Sequence, residues 1–367
     1  MSDDDEPQLA METPWRRELP EVGDALRRWA RARLGDGAEV GDVAEPGNGL
    51  SSETVLFTVR SGGAEERYAA RLAPAADVYP VFPEYDLAAQ AQCMRTVRER
   101  TGVPAPEVVQ VESDPSWLGS PFLVMRRIDG VAAPDLPPYV FDGWVLEASP
   151  AERARMQTGT LEVLAALHTI TPDTADLSFL ARPEFGDDPL LQQLGHEHAY
   201  YEWAREGVSY PLIERTFAWL EARRPQGHDA VLNWGDARVG NILFRDFVPV
   251  AVLDWEMAAV GPREVDLAWC IFLHAFFDDL ADRFGFAGIK DFMQRDDTVA
   301  EYERLAGVTV RDLEWFEVFA ALRFAIVSVR TSTRNIAYGQ ADPPADPEDL
   351  IMFRHLLEQM LDGSYWR

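Results

Sequence analysis

A chain of 367 residues is long enough to bury its own core across roughly two domains, and 47% hydrophobic with 26% charged residues excludes disorder as the main state. With 34 basic against 62 acidic residues the formal charge is −28, which repels nucleic-acid phosphates and anionic lipid surfaces, so neither a nucleic-acid nor a membrane partner is expected. That field is screened over about 8 Å at physiological salt, so a local group of arginines can still hold a phosphate.

Cys93 and Cys270 are the only cysteines, too few for a disulfide framework, and the six histidines show no metal-ligand spacing. The acidic start Met1-Ser2-Asp3-Asp4-Asp5-Glu6 is unlike a signal peptide, and no apolar run has the length of a membrane span; a cytoplasmic location is expected. Lys290 is the only lysine. Any chemistry that calls for a lysine elsewhere must use arginine.

Residues 1 to about 20 read as an acidic, mobile leader. From Pro20 the spacing of Val22, Ala25, Leu26, Trp29, Ala30 and Leu34 predicts an amphipathic helix that stops at Gly35. The pattern then turns to strands. A hairpin is expected from Thr54–Arg60 and Arg67–Leu72 around Ser61-Gly62-Gly63, a helix over 83–100, and strands at Val108–Val111 and Phe122–Ile128. Beyond Gly130 helical periodicity dominates, at 153–169, 188–206, 210–223, 263–283, 295–304, 311–331 and 347–361, with a strand-like insert at 230–255. The pattern implies an α+β chain: a mixed small lobe joined to a large helical one.

The strongest chemical signal is Asn233-Trp234-Gly235-Asp236-Ala237-Arg238-Val239-Gly240-Asn241, followed thirteen residues after Asn241 by Asp254 in Leu253-Asp254-Trp255-Glu256. An Asp and an Asn five apart across a Gly-containing loop, with a second Asp past the next strand, is the layout phosphoryl transfer needs. One carboxylate orients a hydroxyl, while the amide and the other carboxylate hold Mg²⁺ against triphosphate oxygens. The other reading is two ordinary loops, in which Asp and Asn are common. A second pattern stands apart from the first: Gly49-Leu50-Ser51-Ser52-Glu53-Thr54 lies where glycine N–H groups and serine hydroxyls can cradle phosphates.

With both patterns in hand, the sequence resembles the aminoglycoside phosphotransferase and choline kinase superfamily, including the kinase domains attached to some acyl-CoA dehydrogenases, from about Glu21 to Arg330. The resemblance implies a protein-kinase-like two-lobed fold: a leader and helix at 1–39, a nucleotide-binding lobe with an antiparallel sheet and one helix at 40–128, and a helical lobe with the catalytic loop and acceptor site at 129–367. It implies ATP and Mg²⁺ as cofactors, Asp236 as the catalytic residue, Arg238 on the transferring phosphate, and Asn241 and Asp254 as metal ligands. Gly49, Ser51 and Ser52 would hold the nucleotide's phosphates. Met125 would back the adenine pocket, with the Arg126 carbonyl and the Ile128 amide on the base edge.

Departures from the family pattern are specific. Trp234 stands in place of the usual His, and Arg71 in place of the strand lysine that grips the phosphates. The helix that should supply its carboxylate partner offers Gln90, with Glu84 a turn and a half earlier. Glu256 reads as either an outer carboxylate of the metal site or a capping or solvent-facing residue. Asp266 matches the residue that bonds the catalytic-loop backbone, and His168 reads as a core or capping histidine. These changes leave open a retuned kinase or an inactive, nucleotide-binding relative.

Asp266 follows Asp254 by only twelve residues, too few for the peptide-docking segment of a protein kinase, so a small-molecule hydroxyl and no protein substrate is expected. Two aromatic and acidic stretches, His198–Trp203 and Phe272–Asp279, are the candidate acceptor walls. They would suit an aminoglycoside-like or other amino-alcohol acceptor, while the resemblance also includes kinases of hydroxyacyl compounds. Aromatics at helical spacing are equally what a plain core provides. A third possibility is a protein that merely binds small molecules in its aromatic helical lobe.

Overall fold

In the computed structural model of the chain, residues 14–46 and 53–367 are described. Helix α1 (Leu19–Leu34) leads into strand β1 (Glu39–Ala44), the hairpin of β2 (Glu53–Ser61) and β3 (Ala64–Leu72), helix α2 (Leu87–Arg100), and strands β4 (Val108–Glu112) and β5 (Phe122–Arg126). These strands form one antiparallel sheet in the order β1-β2-β3-β5-β4. The hairpin turns on Gly62 and Gly63, whose φ values of 59° and 83° suit the tight turn that matches strand twist.

The two-residue period of the strands divides the sheet into two faces. Val55, Phe57, Val59, Tyr68, Ala70, Leu72, Phe122 and Val124 share one core with Trp29 of α1, whose ring meets Phe57 and Phe122 edge-on at 6.4 and 5.6 Å. The alternate residues Thr54, Leu56, Ala69, Arg71, Leu123 and Met125 face the cleft beneath the sheet. Arg71 therefore points at the site because its neighbours Ala70 and Leu72 point into the core.

The large lobe contains α3 (Trp144–Glu147), α4 (Pro150–Leu167), α5 (Pro189–Ala204), α6 (Pro211–Ala222), α7 (Glu264–Phe284), α8 (Arg295–Ala306), α9 (Leu313–Ala337) and α10 (Arg354–Asp362), together with β6 (Ala230–Asn233), β7 (Ile242–Arg245), β8 (Val248–Val252) and β9 (Ala259–Pro262). The two-lobed α+β architecture is as expected. None of the described helices is long and apolar enough to cross a membrane.

Several boundaries differ from the sequence reading for local reasons. Helix α2 starts at Leu87, not 83, because Asp86 caps it through the Ala89 N–H at 2.8 Å; Glu84 lies in the preceding loop, exposed. Helix α4 starts earlier, at a capping box made by Ser149 and Glu152. Helix α9 runs past 331, since the hydroxyls of Thr331 and Thr333 bond back to the Val327 and Val329 carbonyls and do not break the ladder. The expected last helix divides into a 3₁₀ turn at Pro347–Leu350 and α10. Part of the supposed leader is fastened down: Arg17 pairs with Glu53 and donates to Ser120 Oγ at 2.6 Å, and Trp15 packs on Tyr338.

Trp29 is fully buried between α1 and the sheet. Trp29→Ala should lower stability to urea by about 3–5 kcal/mol. A loss under ~1 kcal/mol in equilibrium unfolding would show that α1 is an appendage to the small lobe and not part of its core.

Candidate active site

The two short sheets of the large lobe bring the expected loops together. The loop 234–241 connects β6 to β7, and the loop 253–258 connects β8 to β9. Asn233 pairs with Ala259 and Ile242 with Val252, so the two loops are bound to each other at both ends. Between these points the Leu253 N–H donates to the Asn241 carbonyl at 2.9 Å, and the indole N–H of Trp234 donates to the carbonyls of Leu253 and Asp254 at 2.8 and 3.1 Å. Trp234 is fully buried and ties one loop to the other.

Beneath them Asp266, itself without solvent exposure, accepts the backbone N–H groups of Trp234 and Gly235 at 2.7 and 2.8 Å. His168 Nε2 lies 3.1 Å from the same carboxylate, and its Nδ1 lies 2.6 Å from the Tyr302 hydroxyl. Gly235 has φ 91°, and a Cβ there would stand 1.9 Å from the Met257 carbonyl oxygen. Only glycine fits, because the second loop crosses directly against the first.

Asp236 receives three donors: Trp269 Nε1 at 2.8 Å, Asn241 Nδ2 at 2.6 Å, and Arg238 Nε at 3.1 and 3.2 Å to its two oxygens. Arg238 in turn puts Nη1 on both oxygens of Asp135, at 2.6 and 2.7 Å. Burial works against the Arg238 charge, but Asp135 and then Asp236 outweigh it and hold the guanidinium above its ordinary range. Asn241 also donates to the Asp236 carbonyl at 3.1 Å, so its side-chain oxygen is the atom left for a cation.

From the small lobe, Arg71 Nη2 reaches Asp254 Oδ1 at 2.6 Å and Glu256 Oε2 at 2.7 Å. Burial again opposes the charge, and Asp254 and Glu256 more than compensate, raising Arg71 above its ordinary value. Glu256 is thus neither a cap nor solvent-facing; its side chain is 5% exposed. Gln90 is buried and lines the same cleft, and Glu84 has no part in it.

Asp236, Arg238, Asn241, Asp254, Arg71, Met125, Arg126 and Ile128 all line one cavity of about 940 Å³ between the lobes. Arg126 sends its side chain away from it, to Glu66 at 2.7 Å and over the Tyr68 ring at 4.9 Å, on the far face of the sheet. Its main chain is what the cavity meets. Gly49, Ser51 and Ser52 lie outside the described residues.

Of the two candidate acceptor walls, one lines the cavity. Trp269, Leu273, Phe276, Phe277 and Leu280 of α7 face it, joined by Phe324 of α9, whose ring packs on Phe276 at 5.0 Å. His198–Trp203 does not. Tyr200 and Tyr201 are buried in the core, His198 stacks on Phe217 at 4.1 Å, and Trp203 covers Arg330 at 3.9 Å. Asp278 and Asp279 are also turned to structural work: Asp278 accepts the Ile289 N–H at 2.9 Å, and Asp279 holds His355 at 2.9 Å. Sequence reasoning missed Asp135, the part Trp269 plays at Asp236, and Arg323. The last is buried under Trp269, 4.6 Å from its ring, and donates to the Gly235 carbonyl at 3.1 Å. Its one sequence signal was an arginine inside the apolar run of α9.

The chain is similar to acyl-CoA dehydrogenase family member 11 of Gallus gallus (26% identity, 88% of this chain and 40% of that protein) and to family member 10 of Mus musculus (30% identity, 46% and 15%). It spans less than half the length of either. Among solved structures, it shares its fold with a Ralstonia eutropha JMP134 protein described as an aminoglycoside phosphotransferase (TM-score 0.66, 22% identity, 94% of this chain and 98% of that one) and with a Plasmodium vivax ethanolamine kinase (TM-score 0.55, 12% identity, 90% and 84%). It also shares it with aminoglycoside phosphotransferase APH(4)-Ia in complex with AMP-PNP and hygromycin B (TM-score 0.54, 15% identity, 92% and 98%). The phosphotransferase enzyme family, denoted APH, matches residues 42–308, and the chain belongs to that family.

Proposed function

We propose that this protein transfers the γ-phosphoryl group of ATP to a hydroxyl of a small molecule. The observation that carries the reading is the convergence of Asp236, Asn241, Asp254, Arg71 and Arg238 on one inter-lobe cavity. Phosphoryl transfer asks of a protein mainly positioning and charge stabilisation, and each need has a residue here.

Asp236 orients the attacking hydroxyl and takes up its proton as the transfer proceeds, its carboxylate fixed by Trp269, Asn241 and Arg238. Arg238 commits Nε and Nη1 to carboxylates, which leaves Nη2 for the transferring phosphate. Asn241 and Asp254 would hold Mg²⁺, since an amide oxygen and a carboxylate are the hard donors it prefers. Bound with the nucleotide, that ion supplies neutralising charge on the phosphate oxygens. Among the described residues no group of three or more His, Cys, Asp or Glu could hold a metal ion. The main chain at Arg126 and Ile128, backed by Met125, meets the base.

The acceptor wall favours a molecule with an apolar body. Trp269, Leu273, Phe276, Phe277, Leu280 and Phe324 are aromatic or aliphatic. The carboxylates lining the cavity are paired with arginines: Asp129 with Arg67, Asp135 and Asp236 with Arg238, Asp254 and Glu256 with Arg71. A polycationic aminoglycoside-like acceptor finds few uncommitted anions there, and an amino alcohol gains little. A hydroxyacyl compound matches the wall better, and similarity to proteins named acyl-CoA dehydrogenases runs in the same direction.

Asp236→Ala should lower kcat by about 10²–10⁴-fold while Mg·ATP affinity by calorimetry stays nearly unchanged. Comparable turnover in the variant removes Asp236 from the mechanism. In a coupled ADP-release screen, hydroxyacyl compounds should give higher kcat/KM than aminoglycosides or amino alcohols. Turnover confined to the cationic acceptors overturns the acceptor assignment, and nucleotide binding with no turnover on any acceptor favours a non-catalytic relative.

A further inference from the structure

We infer that Glu256 is the positioning residue for Arg71, so that this chain draws the carboxylate half of its phosphate-gripping ion pair from the loop after β8 instead of from helix α2. The inference rests on the phosphotransferase reading above. In protein kinases the strand cation is held by a glutamate of the neighbouring helix, within the small lobe. Here that helix offers the cavity Gln90, a neutral amide, and its nearest upstream glutamate, Glu84, stands exposed in a loop.

Glu256 meets the requirements Glu84 and Gln90 fail. Its side chain is 5% exposed and its Oε2 lies 2.7 Å from Arg71 Nη2. A carboxylate so buried is sustained only by a close cation. Asp254 shares the same nitrogen at 2.6 Å, but a carboxylate that held Mg²⁺ would have its charge partly neutralised by the metal, which would leave Glu256 as the stronger partner of the guanidinium. The two contacts use Nη2 alone. Arg71 Nε is buried with no hydrogen-bond partner among the described residues, a donor whose desolvation is uncompensated until an acceptor oxygen arrives. A guanidinium can serve a carboxylate on one edge and a phosphate on another; a lysine ammonium has no such fork.

The location of the partner has a mechanical consequence. Arg71 is on β3 of the small lobe, and Glu256 lies two residues past Asp254 in the large one. The pair therefore bridges the lobes, so that approach of the lobes and placement of the phosphate-binding cation are the same event. Helix α2 presents Gln90 and Met94 to the cavity, neither of them charged.

The test is a double-mutant cycle on ADP binding by calorimetry, in EDTA and again across a Mg²⁺ titration, using wild type, Glu256→Gln, Arg71→Met and the double variant. At saturating Mg²⁺ Glu256→Gln should weaken ADP binding by about tenfold, as Arg71→Met does, with no further loss in the double variant, and in EDTA, where Asp254 is still free to hold Arg71, the loss should be smaller. Glu256→Asp should recover part of the affinity. Equal losses in the presence and absence of Arg71, unchanged ADP affinity, or a shift confined to the Mg²⁺ midpoint would each overturn the inference. If Glu256→Gln fails to fold by its thermal midpoint, Glu256→Asp carries the same cycle, with a loss that depends on Arg71 expected and one independent of it overturning the inference. Wild-type protein that binds no ADP with or without Mg²⁺ would sink the phosphotransferase reading itself, a result distinct from additivity in the cycle.

Discussion

The site depends on one buried carboxylate. Asp266 has no solvent exposure, and an ion so placed costs several kcal/mol unless its lone pairs are occupied. They are occupied by the N–H groups of Trp234 and Gly235, the two residues immediately before Asp236, and by His168. The chain cannot satisfy Asp266 without setting the path of the loop that carries Asp236. Tyr302 fixes His168 from behind, so the loop's position is finally referred to helices α4, α7 and α8. Gly235 completes the constraint, since its φ and the nearby Met257 carbonyl admit no side chain.

From that point charge pairs spread outward in a definite order. Asp236 is held by Arg238, Arg238 by Asp135, and across the cleft Asp254 and Glu256 hold Arg71. A second tie between the lobes lies away from these pairs. Arg330 of α9 is enclosed between the rings of Tyr79 and Trp203 at 3.7 and 3.9 Å, and donates to the Pro80 carbonyl at 2.8 Å. A guanidinium between two π faces gains from both rings while its edge bonds main chain. The loop between β3 and α2 is thereby fixed to the helical lobe. With a single lysine in the chain, arginine does this work throughout, and its planar shape allows one side chain to stack and bond at once.

Much of the site was legible because its spacing is local. The interval from Asp236 to Asn241, the Asp254 after the next strand, and the alternation that turns Arg71 away from Ala70 and Leu72 are all carried within a few residues. Trp269, Arg323 and Asp135 were not legible, since each acts on a partner far along the chain. An aromatic on an apolar helix is ordinary core until a carboxylate is placed against its N–H. The acidic stretch Phe272–Asp279 misled for the same reason: Phe276 and Phe277 face the cavity, while Asp278 and Asp279 are engaged by Ile289 and His355. His198–Trp203 has the same composition and faces elsewhere.

The sequence by itself determined the α+β division into lobes, the family, and which loops meet at the inter-lobe cavity, because periodicity and motif spacing are properties of neighbouring residues. Only the tertiary structure decided who pairs with whom: that Glu256 and not a residue of α2 meets Arg71, that Trp269 and Asn241 share Asp236, and that one aromatic stretch lines the cavity while the other is core. Those contacts join positions up to 185 residues apart. They follow from strand register and helix packing, which no local pattern encodes.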